Sequence, residues 1–373
     1  DYIETTTAAV EGGITDNVPR LDYTDSSCPA LLLEPQRTNG IAYSEYFDSY
    51  WDSDGQSNNI TITHNATTSP EGLQNATKLA GNSTSNNPST AYIGKASAVS
   101  SHPYVSSVFA KAGEYDYIIL TIGSYASGFW ASFNLDTGEV DTDPTASNTT
   151  ASIEDYGDGW YRCMIHTTNT DGAEGVYFSP SVDGTRTTNY TNTTNGVYIF
   201  GAQVEAGSYA TSYIPTYGTS VTRNADDSVV TSATDLIGQT EGTFFVDAKV
   251  TLNGRLMYLG QAGNFIETLT KSNGQVNAFV RTSATQADIY SSTTFATGDT
   301  IKLAFAYAQN DFVLYINGVQ EGNDTNGVVP SNMAGIIMNN YSVAGYASSN
   351  YYNQALLFKT RLSNEELAAL TTI

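Results

Sequence analysis

The sequence predicts an all-β protein: two tandem antiparallel β-sandwiches of jelly-roll-like form, followed by one short C-terminal helix. Three observations lead there. Charged residues are only 14% of the chain, so Thr, Ser, Asn and Gly must supply the polar surface, and these suit twisted strands and tight turns better than helices. The apolar residues, 40% of the total, come in many short runs rich in β-branched and aromatic side chains, each bounded by Gly, Asn, Asp or Ser. At 373 residues there is enough chain for two separate cores. The strand pattern halts in a polar stretch near Thr219–Asp227 and then restarts.

The expected organisation is a connecting segment over 1–28, a first sandwich over 29–225 and a second over 226–373. The first sandwich is organised around LLLEPQRTN (Leu31–Asn39). Three successive leucines read as a strand covered on both faces, which Glu34 and Pro35 stop because proline has no N–H for a ladder. Arg37 follows close behind and needs a carboxylate or water. The apolar segment GAQVEAGSYATSYIPT (Gly201–Thr216) carries a single acid, Glu205. The two segments are therefore expected side by side, with Arg37 paired to Glu205 or to Glu34.

Further strands are expected at Ala91–Ile93, Tyr104–Lys111, Tyr115–Ile122, Phe129–Leu135, Trp160–Thr167, Gly175–Pro180 and Val197–Glu205. In Tyr115–Ile122, Tyr117 and Ile119 share one face while Ile118, Leu120 and Ile122 share the other, so this is a central strand. In the second sandwich Ile301, Leu303, Phe305 and Tyr307 alternate onto one face, as do Phe312, Leu314 and Ile316. The two runs are joined by Gln309-Asn310-Asp311 and predict a hairpin. At the C-terminus, Ser363 through Glu366 form a capping box before Leu367 and Leu370, which starts the one helix.

The formal net charge of −23 disfavours phosphate backbones and anionic lipid, so neither nucleic acid nor membrane is an expected partner. No apolar run is long enough to span a bilayer. The two cysteines cannot build a disulfide framework. The chain opens at Asp1 rather than Met, so it is expected to be a processed or excised part of something longer.

Catalytic patterns are missing. No strand carries the closely spaced acids of a glucanase. There is no H-E-x-x-H, no G-x-S-x-G elbow and no phosphate-cradling loop. The three histidines, His64, His102 and His166, are far apart in sequence. The expectation is no enzyme. Sugar recognition, in contrast, needs aromatic faces beside small polar groups. Of the three tryptophans, Trp51 and Trp160 read as core, and Trp130, set among small residues, reads as an exposed platform. Tyr341, Tyr346, Tyr351 and Tyr352 stand in a Tyr/Asn/Ser-rich stretch of the kind adaptable binding loops use. The alternatives for that stretch are tyrosines packing on one another or an intersubunit contact. Asp136, Glu139 and Asp141 place oxygen ligands in a turn without EF-hand spacing, making them candidates for a structural Ca²⁺. No other cofactor is required.

Five motifs occur in order: LLLEPQRTN; YSEYF (Tyr43–Phe47) with Trp51; DYGDGWYRC (Asp155–Cys163); GAQVEAGSYATSYIPT; and VTRNADD (Val221–Asp227). Together they resemble tail and fibre proteins of bacteriophages and prophages, in which a carbohydrate-binding-module-like β-sandwich precedes a concanavalin A-like, laminin-G-like one. The likeness spans residues 18–227 through these motifs. It spans 228–373 more loosely, through FVLYINGV (Phe312–Val319) and TRLSNEELAAL (Thr360–Leu370). The resemblance implies a virion-surface, extracellular homotrimer that touches other virion proteins and binds host cell-surface polysaccharide during adsorption, without turnover. A purely structural decoration or baseplate role is the alternative, and a polysaccharide-degrading enzyme the third reading.

Overall fold

The computed structural model describes residues 20–22, 28–52, 59–82, 91–95, 103–125, 128–142, 144, 148–168, 175–186, 190, 193–226, 228–338 and 350–373. The fold is all-β, with strands in antiparallel sheets and the expected helix at Asn364–Thr371. The chain divides into two compact units. One is Arg37–Arg223; the other combines the described residues up to Gln36 with Asn224–Ile373.

In the unit Arg37–Arg223, a five-stranded sheet runs in the order Glu139–Thr142, Phe129–Asn134, Tyr117–Ile122, Val176–Ser181, Ile93–Lys95. A six-stranded sheet runs Thr149–Asp155, Trp160–Thr167, Tyr104–Lys111, Gly196–Ala206, Ala76–Gly81, Ile60–Thr67. Period-two alternation decides which side chains meet between them. Ile93, Ile118, Leu120, Ile122, Phe133, Val176 and Phe178 share one core with Leu79, Val108, Cys163, Ile165, Val197 and Ile199 of the other sheet. Trp51 is fully buried in this core, with its indole N–H donating to the Tyr43 carbonyl at 2.9 Å. Trp160 packs with Phe109 and Phe200 in a smaller cluster. Both tryptophans are core residues, as expected.

The second unit pairs a seven-stranded sheet with a six-stranded one. The first is ordered Arg20–Asp22, Ala30–Leu33, Asn350–Phe358, Glu241–Lys249, Thr300–Ala308, Asp311–Ile316, Val319–Asp324. The second is ordered Ser228–Val230, Gly335–Met338, Arg255–Gln261, Asn264–Thr270, Gln275–Arg281, Thr285–Thr294. The predicted hairpin forms with Leu303 opposite Ile316, Phe305 opposite Leu314 and Tyr307 opposite Phe312. Asn310 takes φ 57° at its turn, a left-handed conformation that asparagine tolerates. The capping box closes: the Glu366 amide donates to Ser363 Oγ at 3.3 Å, and the Ser363 amide to Glu366 Oε2 at 2.7 Å. Leu367 is then buried against Phe245 and Tyr315. No helix among the described residues is long and apolar enough to cross a membrane.

The division of the chain differs from the expectation at its start. Residues 20–36 belong with the C-terminal unit, so the boundaries fall after Gln36 and Arg223 rather than at 28/29 and 225/226. Arg20–Asp22 is a paired edge strand rather than a connector. Leu31, Leu32 and Leu33 pair with Tyr352, Tyr351 and Asn350 instead of lying beside Gly201–Thr216. The reason is that an apolar strand is stabilised by whichever sheet offers it an open edge, which its own sequence does not specify. The second half of the motif meets the expectation. Asn39 donates to the carbonyls of Ala202 (3.1 Å) and Ile214 (2.9 Å) and accepts from the Val204 amide at 3.1 Å. Arg37 Nε stands 3.7 Å from Glu205 Oε2. Glu34, the other proposed partner, is instead bound by Arg20 at 2.5 Å.

Candidate functional site

The side of the five-stranded sheet turned away from the core is where polar and aromatic chemistry gathers. Strand register sets its rows. One row runs Gly94, Tyr177, Thr121, Trp130. The next runs Ser179, Ile119, Ser132, Thr142, and the third Ser181, Tyr117, Asn134, Glu139. Four adjacent strands make each row about 14 Å across. The inward positions of Phe129–Asn134, Tyr117–Ile122 and Val176–Ser181 are apolar, and on the other face Ile119, Thr121, Ser132, Tyr177, Ser179 and Ser181 are also buried, which leaves Trp130 among the partly exposed residues.

Aromatic rings collect at the first row. Tyr92 stacks on Tyr125 with centroids 3.8 Å apart, and Tyr177 meets both edge-on at 5.5 and 5.4 Å. Burial, together with the neighbouring Tyr125, raises the Tyr92 phenol above its ordinary pKa, so it stays a neutral hydrogen-bonding group. Trp130 is partly exposed beside Thr121, whose buried hydroxyl has no hydrogen-bond partner. Arg186 joins the two aromatic groups. Its guanidinium carbon lies 4.6 Å from the Tyr125 ring centroid and 5.8 Å from that of Trp130. Among the described residues it has no ion pair or hydrogen bond.

The local sequence explains how Arg186 arrives there. After the strand ends at Ser181, Asp183 Oδ1 accepts from the Thr185 amide at 3.1 Å and the Thr185 hydroxyl at 2.7 Å. The Ser181 hydroxyl donates to the Thr185 carbonyl at 2.8 Å. Gly184, at φ 78°, supplies the left-handed corner, and a Cβ there would sit 2.6 Å from Asp141 Oδ2. Past the loop, Tyr190 is buried, with its hydroxyl donating to the Pro180 carbonyl at 2.9 Å. The segment bearing Arg186 is therefore tied at both ends.

The second and third rows carry polar groups bonded to one another. Asn134 Nδ2 donates to the Tyr117 hydroxyl at 3.3 Å, and Ser132 Oγ donates to Asp141 Oδ2 at 2.8 Å. The proposed calcium set does not converge. Asp141 is engaged by Ser132 and Thr142, and Glu139 accepts from the Thr137 hydroxyl at 3.4 Å. Asp136 caps the exposed turn through its amide, which donates to Asn134 Oδ1 at 2.9 Å. Among the described residues, no three His, Cys, Asp or Glu side chains could hold an ion together. The physical reason is that the carboxylates of Asp141 and Glu139 are already engaged by neighbouring hydroxyls, while at Asp136 it is the amide that is bonded.

Of the binding residues expected from sequence, Trp130 alone lies on this face. Tyr341 and Tyr346 fall outside the described residues. Tyr351 is partly buried, with Lys249 Nζ 5.8 Å from its ring centroid. Tyr352 does not serve as a platform: it is 4% exposed in the core of the other unit. Its hydroxyl donates to the carbonyls of Arg255 and Leu256 at 3.2 and 3.1 Å, and burial raises its pKa far above the ordinary phenol value. Alternation along Asn350–Phe358 sends it inward. The sequence reading missed Tyr92, Thr121, Tyr125, Tyr177 and Arg186. A period-two signal was present for Tyr177 and Ser179, which alternate with Val176 and Phe178. Nothing local marked Arg186.

No family model matches this chain, and no curated protein shows a significant match. Solved structures similar to it include three of interest. One is the carbohydrate-binding module of a Ruminococcus gnavus sialidase bound to α2,3-sialyllactose, with 15% identity and TM-score 0.32, covering 37% of this chain and 86% of that one. Another is domain 4 of an extracellular arabinanase from Geobacillus stearothermophilus in complex with arabinotriose, with 18% identity and TM-score 0.30, covering 41% and 73%. The third is the LG4-5 domain pair of the mouse laminin α1 chain, with 11% identity and TM-score 0.30, covering 74% and 89%.

Proposed function

We propose that this chain is a non-catalytic glycan-binding protein, with the partly exposed cluster of Tyr92, Tyr125, Trp130 and Arg186 beside the five-stranded sheet as its binding surface. The observation that carries this reading is the juxtaposition of the partly exposed rings of Tyr92, Tyr125 and Trp130 around Arg186, packed over the buried Thr121 and Tyr177. Aromatic rings offer apolar faces to pyranose C–H groups, and hydroxyls and amides bind the sugar's hydroxyls. The nearby carboxylates favour binding over hydrolysis. Asp141 and Asp183 are each engaged by hydroxyl groups of their own loops, rather than facing each other across a vacant gap as a glycosidase pair requires.

The setting proposed is a virion appendage contacting host surface glycans, and it rests on the motif resemblance to phage tail and fibre proteins. A homotrimer would present three such faces, so that weak single sites gain avidity. A purely structural decoration role is the second reading.

The test is a glycan array and whole-cell binding with the intact chain and with Trp130→Ala. Loss of a stacked aromatic is expected to weaken binding about tenfold, consistent with ~1–1.5 kcal/mol for an aromatic contact. Absence of binding to any glycan or host cell by the intact protein would sink the proposal and leave the structural reading.

A further inference from the structure

We propose that Arg186 makes this face selective for acidic sugars, by receiving the carboxylate of a uronic or sialic acid residue. The inference deepens the glycan-binding reading and rests on it. Its starting point is a mismatch of charge. Acids outnumber bases 38 to 15 in this chain, so a base without an acidic partner is out of keeping with its surroundings. Four other arginines, Arg20, Arg37, Arg255 and Arg361, stand within ion-pair distance of a carboxylate, while Arg162 and Arg223 donate to the Ser107 hydroxyl and the Ser212 carbonyl. Arg186 has none among the described residues, although Asp183 is only three positions away. That carboxylate is spent on the Thr185 amide and hydroxyl, and Asp141 on Ser132 and Thr142.

The guanidinium instead lies among rings, 4.6 Å from the Tyr125 centroid and 5.8 Å from that of Trp130. Its Nε is buried without a partner, and the terminal Nη groups, which bind anions, are left to a ligand. A planar carboxylate matches that edge with two parallel N–H···O bonds, which a neutral sugar hydroxyl cannot do. The same rings that orient Arg186 are those offered to the sugar, so a pyranose resting on Trp130 carries its carboxylate into reach. The chain's overall negative charge does not prevent this, because at physiological salt charges beyond about 8 Å are largely screened.

The experiment compares oligogalacturonate and sialyllactose with carboxyl-reduced oligogalacturonate and lactose, titrated against the whole protein and against Arg186→Gln, Arg186→Lys and Trp130→Ala. Thermal unfolding confirms that each variant is folded. The expected result is tighter binding of at least one carboxylated sugar than of its neutral counterpart. Arg186→Gln lowers that affinity about tenfold or more and by more than it lowers the neutral counterpart's, and Arg186→Lys restores part of it. Trp130→Ala weakens both kinds. Equal affinity for carboxylated and neutral partners, or an unchanged preference in Arg186→Gln, overturns the role of Arg186 while leaving the glycan face intact. Failure of every sugar, acidic and neutral, to bind overturns both.

Discussion

Replacing Glu205 by alanine is expected to cost the Arg37–Arg223 unit about 3–5 kcal/mol, the range for removing one member of a buried charged network. The structure gives the reason. The Glu205 carboxylate is 1% exposed and accepts from the Thr211 amide at 2.7 Å, the Thr211 hydroxyl at 2.6 Å and Gln203 Nε2 at 2.9 Å. Arg37 adds a longer contact at 3.7 Å and also lies over Tyr209. Three short hydrogen bonds to a charged group, each worth roughly 1.5–3 kcal/mol in isolation, outweigh one ion pair at that separation. Arg37→Met should therefore cost less, about 1–1.5 kcal/mol, with a coupling of about 1 kcal/mol in the double-mutant cycle. The assay is selective because all three tryptophans, Trp51, Trp130 and Trp160, belong to this unit. Tryptophan fluorescence during urea or thermal unfolding follows it without the other. A loss of 3–5 kcal/mol in a unit of this size corresponds to roughly 6–20 °C in Tm. If Glu205→Ala costs under about 1 kcal/mol, or if Arg37→Met costs as much as Glu205→Ala, the ranking of these contacts is wrong.

Two further outcomes concern the other unit. Glu321 bridges its two sheets, accepting from the Ser292 amide (2.8 Å), the Ser292 hydroxyl (2.6 Å) and the Thr293 amide (2.9 Å). Burial pushes its pKa up, but these hydrogen bonds outweigh that and hold it below the usual value. A lowered folded-state pKa stabilises fully above the ordinary carboxylate range, and the contribution fades as pH falls through the folded value. Glu321→Gln should thus be about 1–3 kcal/mol less stable than wild type at neutral pH, with the gap closing in acid; a pH-independent gap in urea titrations followed by circular dichroism would count against the bridge. Tyr352→Phe should lose about 1–2 kcal/mol, because the carbonyls of Arg255 and Leu256 lose a donor. Its glycan affinity should not change, and a folded Tyr352→Phe protein that binds sugar poorly would contradict the inward placement of that ring.

How much was legible from sequence follows from the range of the interactions. The capping box at Ser363 and the alternation in Ile301–Tyr307 are decided within a few residues, so pattern alone located them. The Arg37–Glu205 pairing was legible over a long separation for a different reason. A base next to apolar chain needs an acid, and few acids lie on apolar strands. Trp130 stood out because a large ring among small residues has little to pack against locally. Its companions did not, because Thr121 and Tyr177 meet Trp130's row only through strand register, and Arg186 arrives only through the turn after Ser181.

The sequence by itself determined the all-β class, the period of each strand and the local turns, since these depend on backbone sterics and on which side chains alternate. Tertiary structure decided which sheet edge received Leu31–Leu33, which way Tyr352 pointed and what surrounded Arg186. Strand edges are chemically alike, so pairing among them is settled by the summed packing of whole sheets. A one-residue change of phase reverses what faces the core, and that choice is made only when the partner strands arrive.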